Sequence, residues 1–399
     1  MDSTQPTSWY GTQRNPHKTP TRWKHKALRP RDEVTSALEM TQPPDDPVPT
    51  HKRRPRYRGT HPRRFEERYK ELAAEQYPDI VPHVLAKGRT PAGQHVPIMV
   101  EEVLGALAPL PGMRGVDATL GFGGHARRLL ERLLPGGRLL GLDADPIELP
   151  RTEARLRQLG FDQASLVTRR TNFAGMHAAL AAIGWSDGAD VILADLGVSS
   201  MQIDNPERGF TFAADGPLDM RMNPGRGASA SQWLERASVQ QIQRALQEHS
   251  DEPFAERLAH ALAAGRGSIT TTHSLASVVR TALLDDIEAD SAEQSVRRVF
   301  QALRIEVNDE LSALDALLRQ LPDCLRPGGR VVLLTFHSGE DRRVKHAFAE
   351  GERAGRYASV AAEVIRASSQ ERYDNPRSRS AKLRWAIRSE GEGFPGTAR

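Results

Sequence analysis

Four short apolar runs, Gly115 to Thr119, Arg138 to Asp143, Ser165 to Arg169 and Val191 to Asp195, are interspersed with stretches of helical spacing such as Gly124 to Leu134 and Glu148 to Leu159. Runs this short and apolar suit strands covered on both faces, and the helical stretches are long enough to serve as crossovers. The alternation therefore commits the chain to a parallel, doubly wound α/β sheet. A fifth run, Arg330 to Phe336, follows only after more than 130 residues. Within that interval Ser231 to Glu248, Pro253 to Ala263, Thr272 to Leu284 and Ala292 to Leu321 carry apolar residues at three and four spacing. The reading is an α/β domain, residues 95–210 and 300–390, interrupted by a helical subdomain at 211–299. The alternating segment Ala381 to Arg388 reads as a last, edge strand.

Residues 1–90 behave differently. They are rich in Pro, Arg, Lys and Thr without periodic apolar positions, so a largely disordered extension is expected, with a short helix allowed between Glu66 and Leu85. The chain's net charge of +4 hides an asymmetry: residues 1–70 hold 16 Lys and Arg against 8 Asp and Glu, which leaves the remainder net acidic. Tyr57, Phe65 and Tyr69 lie among the arginines of the densest part, His51 to Lys70, a mixture suited to phosphates and bases. Cys324 is the only cysteine, which excludes an internal disulfide or a cysteine zinc cluster. No stretch reaches the roughly 18 apolar residues of a membrane span, and the first residues lack a leader pattern, so a cytoplasmic protein is expected.

Three motifs fall at the ends of expected strands. Asp117-Ala-Thr-Leu-Gly121-Phe-Gly123-Gly124-His125-Ala126 follows the first and opens a helix, where glycines allow close backbone approach and the helix N-terminus offers unpaired N–H groups. A nucleotide-like cofactor is implied. Gly121, Gly123 and Ala126 also fit the dinucleotide pattern, so a nicotinamide enzyme stands as an alternative. Asp143, 22 residues past Gly121, is placed to accept ribose hydroxyls, whereas Asp145 suits the cap of the helix opening at Pro146. Asp195-Leu-Gly-Val-Ser-Ser200 ends the fourth strand at the expected ligand crevice. Asp195, Ser199 and, beyond them, Phe210 are the candidate catalytic residues, with a helix cap the alternative for Ser199 and a core position the alternative for Phe210.

Two further motifs are less directed. His337, Glu340 and Asp341 invite a metal, but their spacing matches no familiar ligand set, so no metal is expected. Arg377, Arg379, Lys382 and Arg384 cluster at the start of the last strand, where phosphate contact and a solvated edge are equally open.

Taken in order, HVPIMVEEVL, DATLGFGGH, GLDADP, ADLGVSSMQID, RGFTF, GPLDMRMNP, FQALRIEVNDEL, TFHSGEDRRVK and NPRSRSAKLR resemble the bacterial 16S ribosomal RNA cytosine-N4 methyltransferases of the MraW type. The resemblance runs from about His95 to Arg388 and implies a class I, Rossmann-like, S-adenosylmethionine-dependent methyltransferase fold. It further implies Gly123, Gly124 and His125 at the methionine end of the cofactor, Asp143 on its ribose and Phe173 near its adenine. Asp195 and Gln202 would complete the pocket. The implied partner is 16S ribosomal RNA or the small ribosomal subunit, and a homodimer is compatible with it. An inactive RNA-binding assembly factor of the same fold is the other alternative. Ala126, Gly339 and the stretch His249 to Glu252 depart from the pattern, as does the long basic extension.

Overall fold

The structure is a computed structural model that describes residues 97–284 and 288–390. The basic extension, with its expected disorder and its helix at Glu66 to Leu85, lies outside the described residues. Five parallel strands form most of one sheet: β1 (Arg114–Asp117), β2 (Arg138–Asp143), β3 (Leu166–Arg170), β4 (Ala189–Asp195) and β5 (Leu325–Thr335). Two more, β6 (Tyr357–Val360) and β7 (Lys382–Arg388), complete the order β3-β2-β1-β4-β5-β7-β6. The central residues of β2 and β4 are buried, as expected of strands with helices on both faces. Two apolar clusters flank the sheet. One is centred on Ile192, Leu333 and Leu317, the other on Leu130, Leu139 and Val332.

The sequence expectation for the last strand needs correction. Lys382–Arg388 is not an edge strand, because it pairs antiparallel with β5 on one side and with β6 on the other. The edge belongs to β6, four residues long, a length at which an alternating pattern carries little signal.

Helices α1 (Val100–Leu107), α2 (Gly124–Leu133), α3 (Glu148–Gln158), α4 (Met176–Ala181) and α5 (Ser200–Asp204) precede the insertion. The insertion holds α6 (Ala230–Arg236), α7 (Val239–Ser250), α8 (Ala255–Ala264), α9 (Thr272–Leu283) and α10 (Ala289–Asn308), around a core of their own that includes Leu246, Leu258, Val279 and Leu303. Two stretches expected as single helices are each divided. Ser231 to Glu248 breaks where Ser238 caps α7 through a reciprocal pair with Gln241. Ala292 to Leu321 breaks at Asp309, whose φ of 50° is left-handed and separates α10 from α11 (Glu310–Cys324). Helix α12 (Ser338–Arg353) follows β5, and the short α13 (Ser369–Asp374) lies between β6 and β7.

Strand register sets the site. Asp117 lies beside both Gly141 and Leu193, and Asp195 beside Leu334, so the carboxyl ends of β1, β2, β4 and β5 come nearly level. The order reverses between β1 and β4, which is where an open α/β sheet forms its ligand crevice.

Candidate active site

The glycine loop joins β1 to α2 and is braced from below by an acid. Asp143 Oδ2 accepts the amide of Gly121 at 2.7 Å and its Oδ1 the amide of Asp145 at 2.8 Å. Burial pushes the Asp143 carboxyl up to about 6, against the pull of those two amides. Gly123 has φ of 82°, and a Cβ there would meet Thr152 Cγ2 at 2.8 Å, so glycine is required on both counts. Thr152 Oγ1 in turn donates to the Gly121 carbonyl at 2.5 Å, fixing α3 to the loop. Arg155 covers the Phe122 ring at 3.7 Å and donates to the Phe122 carbonyl at 3.1 Å. The first amides of α2, starting at Gly124, lack intrahelical acceptors and point their partial positive charge into this turn.

His125 is buried and its Nε2 lies 2.9 Å from the carbonyl of Ile98. Because a carbonyl only accepts, Nε2 carries the hydrogen and the neutral ring turns its Nδ1 lone pair elsewhere. Burial lowers its pKa and favours that neutral form. Nδ1 lies 3.6 Å from Asp195 Oδ2, too far for a hydrogen bond but near enough to fix what the acid faces. Asp117, at the end of β1, is buried and pushed up to about 6, chiefly by that burial.

Asp195 ends β4. Its amide donates to Thr119 Oγ1 at 2.7 Å, which ties β4 to the glycine loop. Its side chain retains 29% exposure, yet Oδ1 is buried and has no hydrogen-bond partner among the described residues. Burial, and then the negative charge of Glu340, pushes this carboxyl up to about 7. A carboxyl that changes state near neutrality and leaves one oxygen unsatisfied is suited to accepting a hydrogen from a bound ligand.

The other expected site residues take more structural places. Ser199 Oγ accepts the amide of Gln202 at 3.3 Å, and Gln202 Oε1 accepts the amide of Ser199 at 2.9 Å, a reciprocal cap on α5. Gln202 Nε2 donates to Asp145 Oδ2 at 2.8 Å, so its amide is spent on the loops rather than open to the crevice. Phe173 begins a single 3₁₀ turn after β3 and packs half-buried against the main core, while its carbonyl accepts from Gln320. Phe210 and Phe212 both pack against the helical core. Phe212 meets Phe300 edge to face at 5.0 Å.

Sequence reasoning missed Arg208. It is buried, and its Nη1 donates at 2.8 Å to Asp145 Oδ2, a carboxylate with no exposed surface. Its Nη2 donates to the carbonyls of Arg221 and Met222 at 3.1 and 2.9 Å. Asn308 grips the same stretch, accepting from the Met222 amide and donating to the Met220 carbonyl, both at 2.7 Å. Asp145 also accepts the amides of Ile147 and Glu148 through Oδ1, the cap read from the sequence. One buried carboxylate thus ties together the loops after β2 and β4 and the wall of the insertion.

The His337 to Asp341 segment is likewise structural. Glu340 Oε2 accepts the amides of Phe336 and His337 at 2.8 and 3.3 Å, and Asp341 binds Lys382 and Arg384 at 2.9 and 2.7 Å. No group of three or more His, Cys, Asp and Glu among the described residues is arranged to hold a metal ion. Nor is any helix there long and apolar enough to cross a membrane.

A sheet of this order, with a glycine loop after β1, a bracing acid at the end of β2 and an unsatisfied acid at the end of β4, defines a class I methyltransferase domain. The chain belongs to the MraW methylase family, which it matches over residues 92–389. It is 46% identical over 354 residues to "Ribosomal RNA small subunit methyltransferase H 1" of Lachnoclostridium phytofermentans, covering 87% of this chain and 96% of that protein. To the protein of the same name from Agathobacter rectalis it is 47% identical over 346 residues, 85% of this chain and 98% of the other. "Ribosomal RNA small subunit methyltransferase H" of Nitratidesulfovibrio vulgaris is 41% identical over 329 residues, 77% of this chain and 90% of its own length. Membership in a methylase family sets aside the nicotinamide alternative, which rested on the glycine loop and Asp143 alone.

Proposed function

We propose that this chain transfers a methyl group from S-adenosylmethionine to the exocyclic N4 amine of a cytidine in small-subunit ribosomal RNA. The observation that carries the reading is the Asp195 carboxyl, pushed up to about 7 with one buried oxygen unpaired, beside a glycine loop with no room for a side chain at Gly123. The relatives' names supply the substrate class, which the geometry alone does not select.

The residues fit the cofactor. The amides opening α2 offer an electropositive cradle, Gly123 and Gly124 let the loop pack tightly on Thr152, Leu156 and Pro97, and Asp143 keeps lone pairs beyond the two amides it already accepts. On this reading the methionine end sits at Gly123, Gly124 and His125, the ribose at Asp143 and the adenine near Phe173. Gln202 acts by shaping the loop through Asp145, and Ser199 by capping α5. When bound, S-adenosylmethionine supplies an electrophilic methyl group on a sulfonium.

The cytosine amine is a weak nucleophile because its lone pair is delocalised into the ring, so the protein's contribution is position and proton removal. The Asp195 carboxylate, through the part of its side chain left open to the crevice, accepts an amine hydrogen and takes that proton as the nitrogen gains its methyl group, with the carbonyls of Leu196 and Gly197 as further acceptors. His125, fixed through Nε2 on Ile98, lines the pocket beside Asp195, with its Nδ1 3.6 Å from Oδ2. Phe210, only half-buried where it packs on the helical core, is the aromatic that would stack on the flipped base.

Transfer of labelled methyl groups to small-subunit particles or their RNA, followed by nucleoside analysis, tests the reading. N4-methylcytidine is expected. Label in another nucleoside would reject the target, and cofactor binding without transfer would favour an inactive assembly factor.

A further inference from the structure

The cations at the start of β7 divide into two kinds. Lys382 and Arg384 are spent on Asp341, at 2.9 and 2.7 Å. Arg377 and Arg379 are exposed, and so is Arg372 on α13. Between them stands Tyr373, 80% exposed, more than any other large apolar or aromatic side chain among the described residues. A lone exposed aromatic needs no explanation, but one flanked in sequence by three exposed arginines is a different surface.

This segment is attached to the site at two points. Glu371 Oε1 accepts the amide of Met99 at 2.7 Å, next to Ile98, whose carbonyl orients His125. Arg377 Nη2 donates to Asp204 Oδ1 at 2.7 Å, and Asp204 ends the helix that opens at the Ser199 cap. Arg379 gives only its Nε to the Arg372 carbonyl, at 3.3 Å, and Arg372 one Nη to Ser369 Oγ, at 3.1 Å. Most of their donors therefore face water, on a platform tied to both the glycine-loop side and the Asp195 side of the crevice.

We propose that Arg372, Tyr373 and Arg379 form a landing surface for the single-stranded RNA that flanks the methylated nucleotide, a deepening that rests on the proposed function. The arginines take phosphates, and Tyr373 stacks on an unpaired base, which requires a strand whose base faces are open rather than a duplex. Arg377, tied to Asp204, holds the surface in place.

The test uses the full chain, a single-stranded cytidine-containing RNA oligonucleotide for binding against salt, and ribosomal RNA for methyl transfer. Replacing both Arg372→Ala and Arg379→Ala should lower the slope of log affinity against log salt by about 1.4, two single-strand phosphate contacts. Tyr373→Ala should weaken binding about tenfold with the slope unchanged, and Tyr373→Phe should restore it. S-adenosylhomocysteine affinity and unfolding temperature should stay at parental values in all three. Parental RNA affinity and slope in correctly folded variants would overturn the surface, even if methyl transfer were intact. A parent that binds RNA with these sensitivities but transfers no methyl group would instead reject the reaction and keep the surface.

Discussion

Replacing Arg208 by methionine removes one side chain and leaves a charge behind. Asp145 has no exposed surface, and in Arg208→Met its Oδ2 keeps only the Gln202 amide, while the carbonyls of Arg221 and Met222 lose their shared donor. Breaking a buried pair from one side costs about 3–5 kcal/mol. The lower end applies here, because Asp145 still accepts the amides of Ile147 and Glu148. A loss of about 3 kcal/mol in a domain of this size lowers the unfolding temperature by roughly 5 °C. Converting Asp145→Asn in the same chain removes the stranded charge, so the double variant should recover about 2 kcal/mol of the loss expected from adding the single changes. Thermal unfolding of the parent, both single variants and the double variant measures this. If Arg208→Met melted within about 2 °C of the parent, or the two changes were additive, the pair would not be the tie between the loops inferred from its geometry.

Asp195→Asn should lower kcat by about 10²- to 10⁴-fold, with S-adenosylhomocysteine affinity much less affected. In the parent, kcat/KM should rise as pH climbs through about 7, where Asp195 loses its proton, and the asparagine variant should lack that limb. Stability carries the opposite sign. A carboxyl whose folded pKa lies above its unfolded value favours the fold while protonated, so stability from Asp117, Asp143 and Asp195 is present in acid and fades as pH rises from about 4 to 7. Asp195→Asn without cofactor should therefore be more stable than the parent at pH 8, by up to about 4 kcal/mol, and this advantage should shrink toward pH 4 in denaturant titrations. Gly123→Ala places a Cβ 2.8 Å from Thr152 Cγ2 at a φ of 82°, and it should cost about 1–2 kcal/mol or more and at least tenfold in cofactor affinity by calorimetry. Unchanged binding would show that the loop yields more easily than its geometry indicates.

The parts of this fold that were legible in the sequence are those whose cause is local. β2 occupies the same residues, Arg138–Asp143, as the apolar run that announced it, and α2 opens at Gly124 where the glycine motif ends. The break before α7 also had a local signal, Ser238 with Gln241 three residues on, though the apolar periodicity running through it obscured the division. The break at Asp309 had only a weak one, the Asn308-Asp309 pair. Asn308, just before that left-handed residue, donates to the Arg304 carbonyl of its own helix and also holds Met220 and Met222, more than 80 residues earlier. The edge was misread for a related reason: whether β7 is covered depends on β6, a strand that pairing creates and pattern barely marks.

The same division runs through the site. Asp145 was legible as a helix cap because one of its oxygens serves amides two and three residues away. Its other oxygen holds Gln202 and Arg208, 57 and 63 residues on, and that half has no sequence signature. The Asp195 motif offers Ser199 as a catalyst and the family resemblance offers Gln202 as a ligand, while the hydrogen bonds both side chains make go to the loops themselves. A motif in this crevice therefore marks where loops must meet, and only the distant partners decide which side chains remain unspent. By that criterion Asp195 stands apart from the other acids of the crevice, since its Oδ1 is the only buried carboxylate oxygen of these loops left without a hydrogen-bond partner among the described residues.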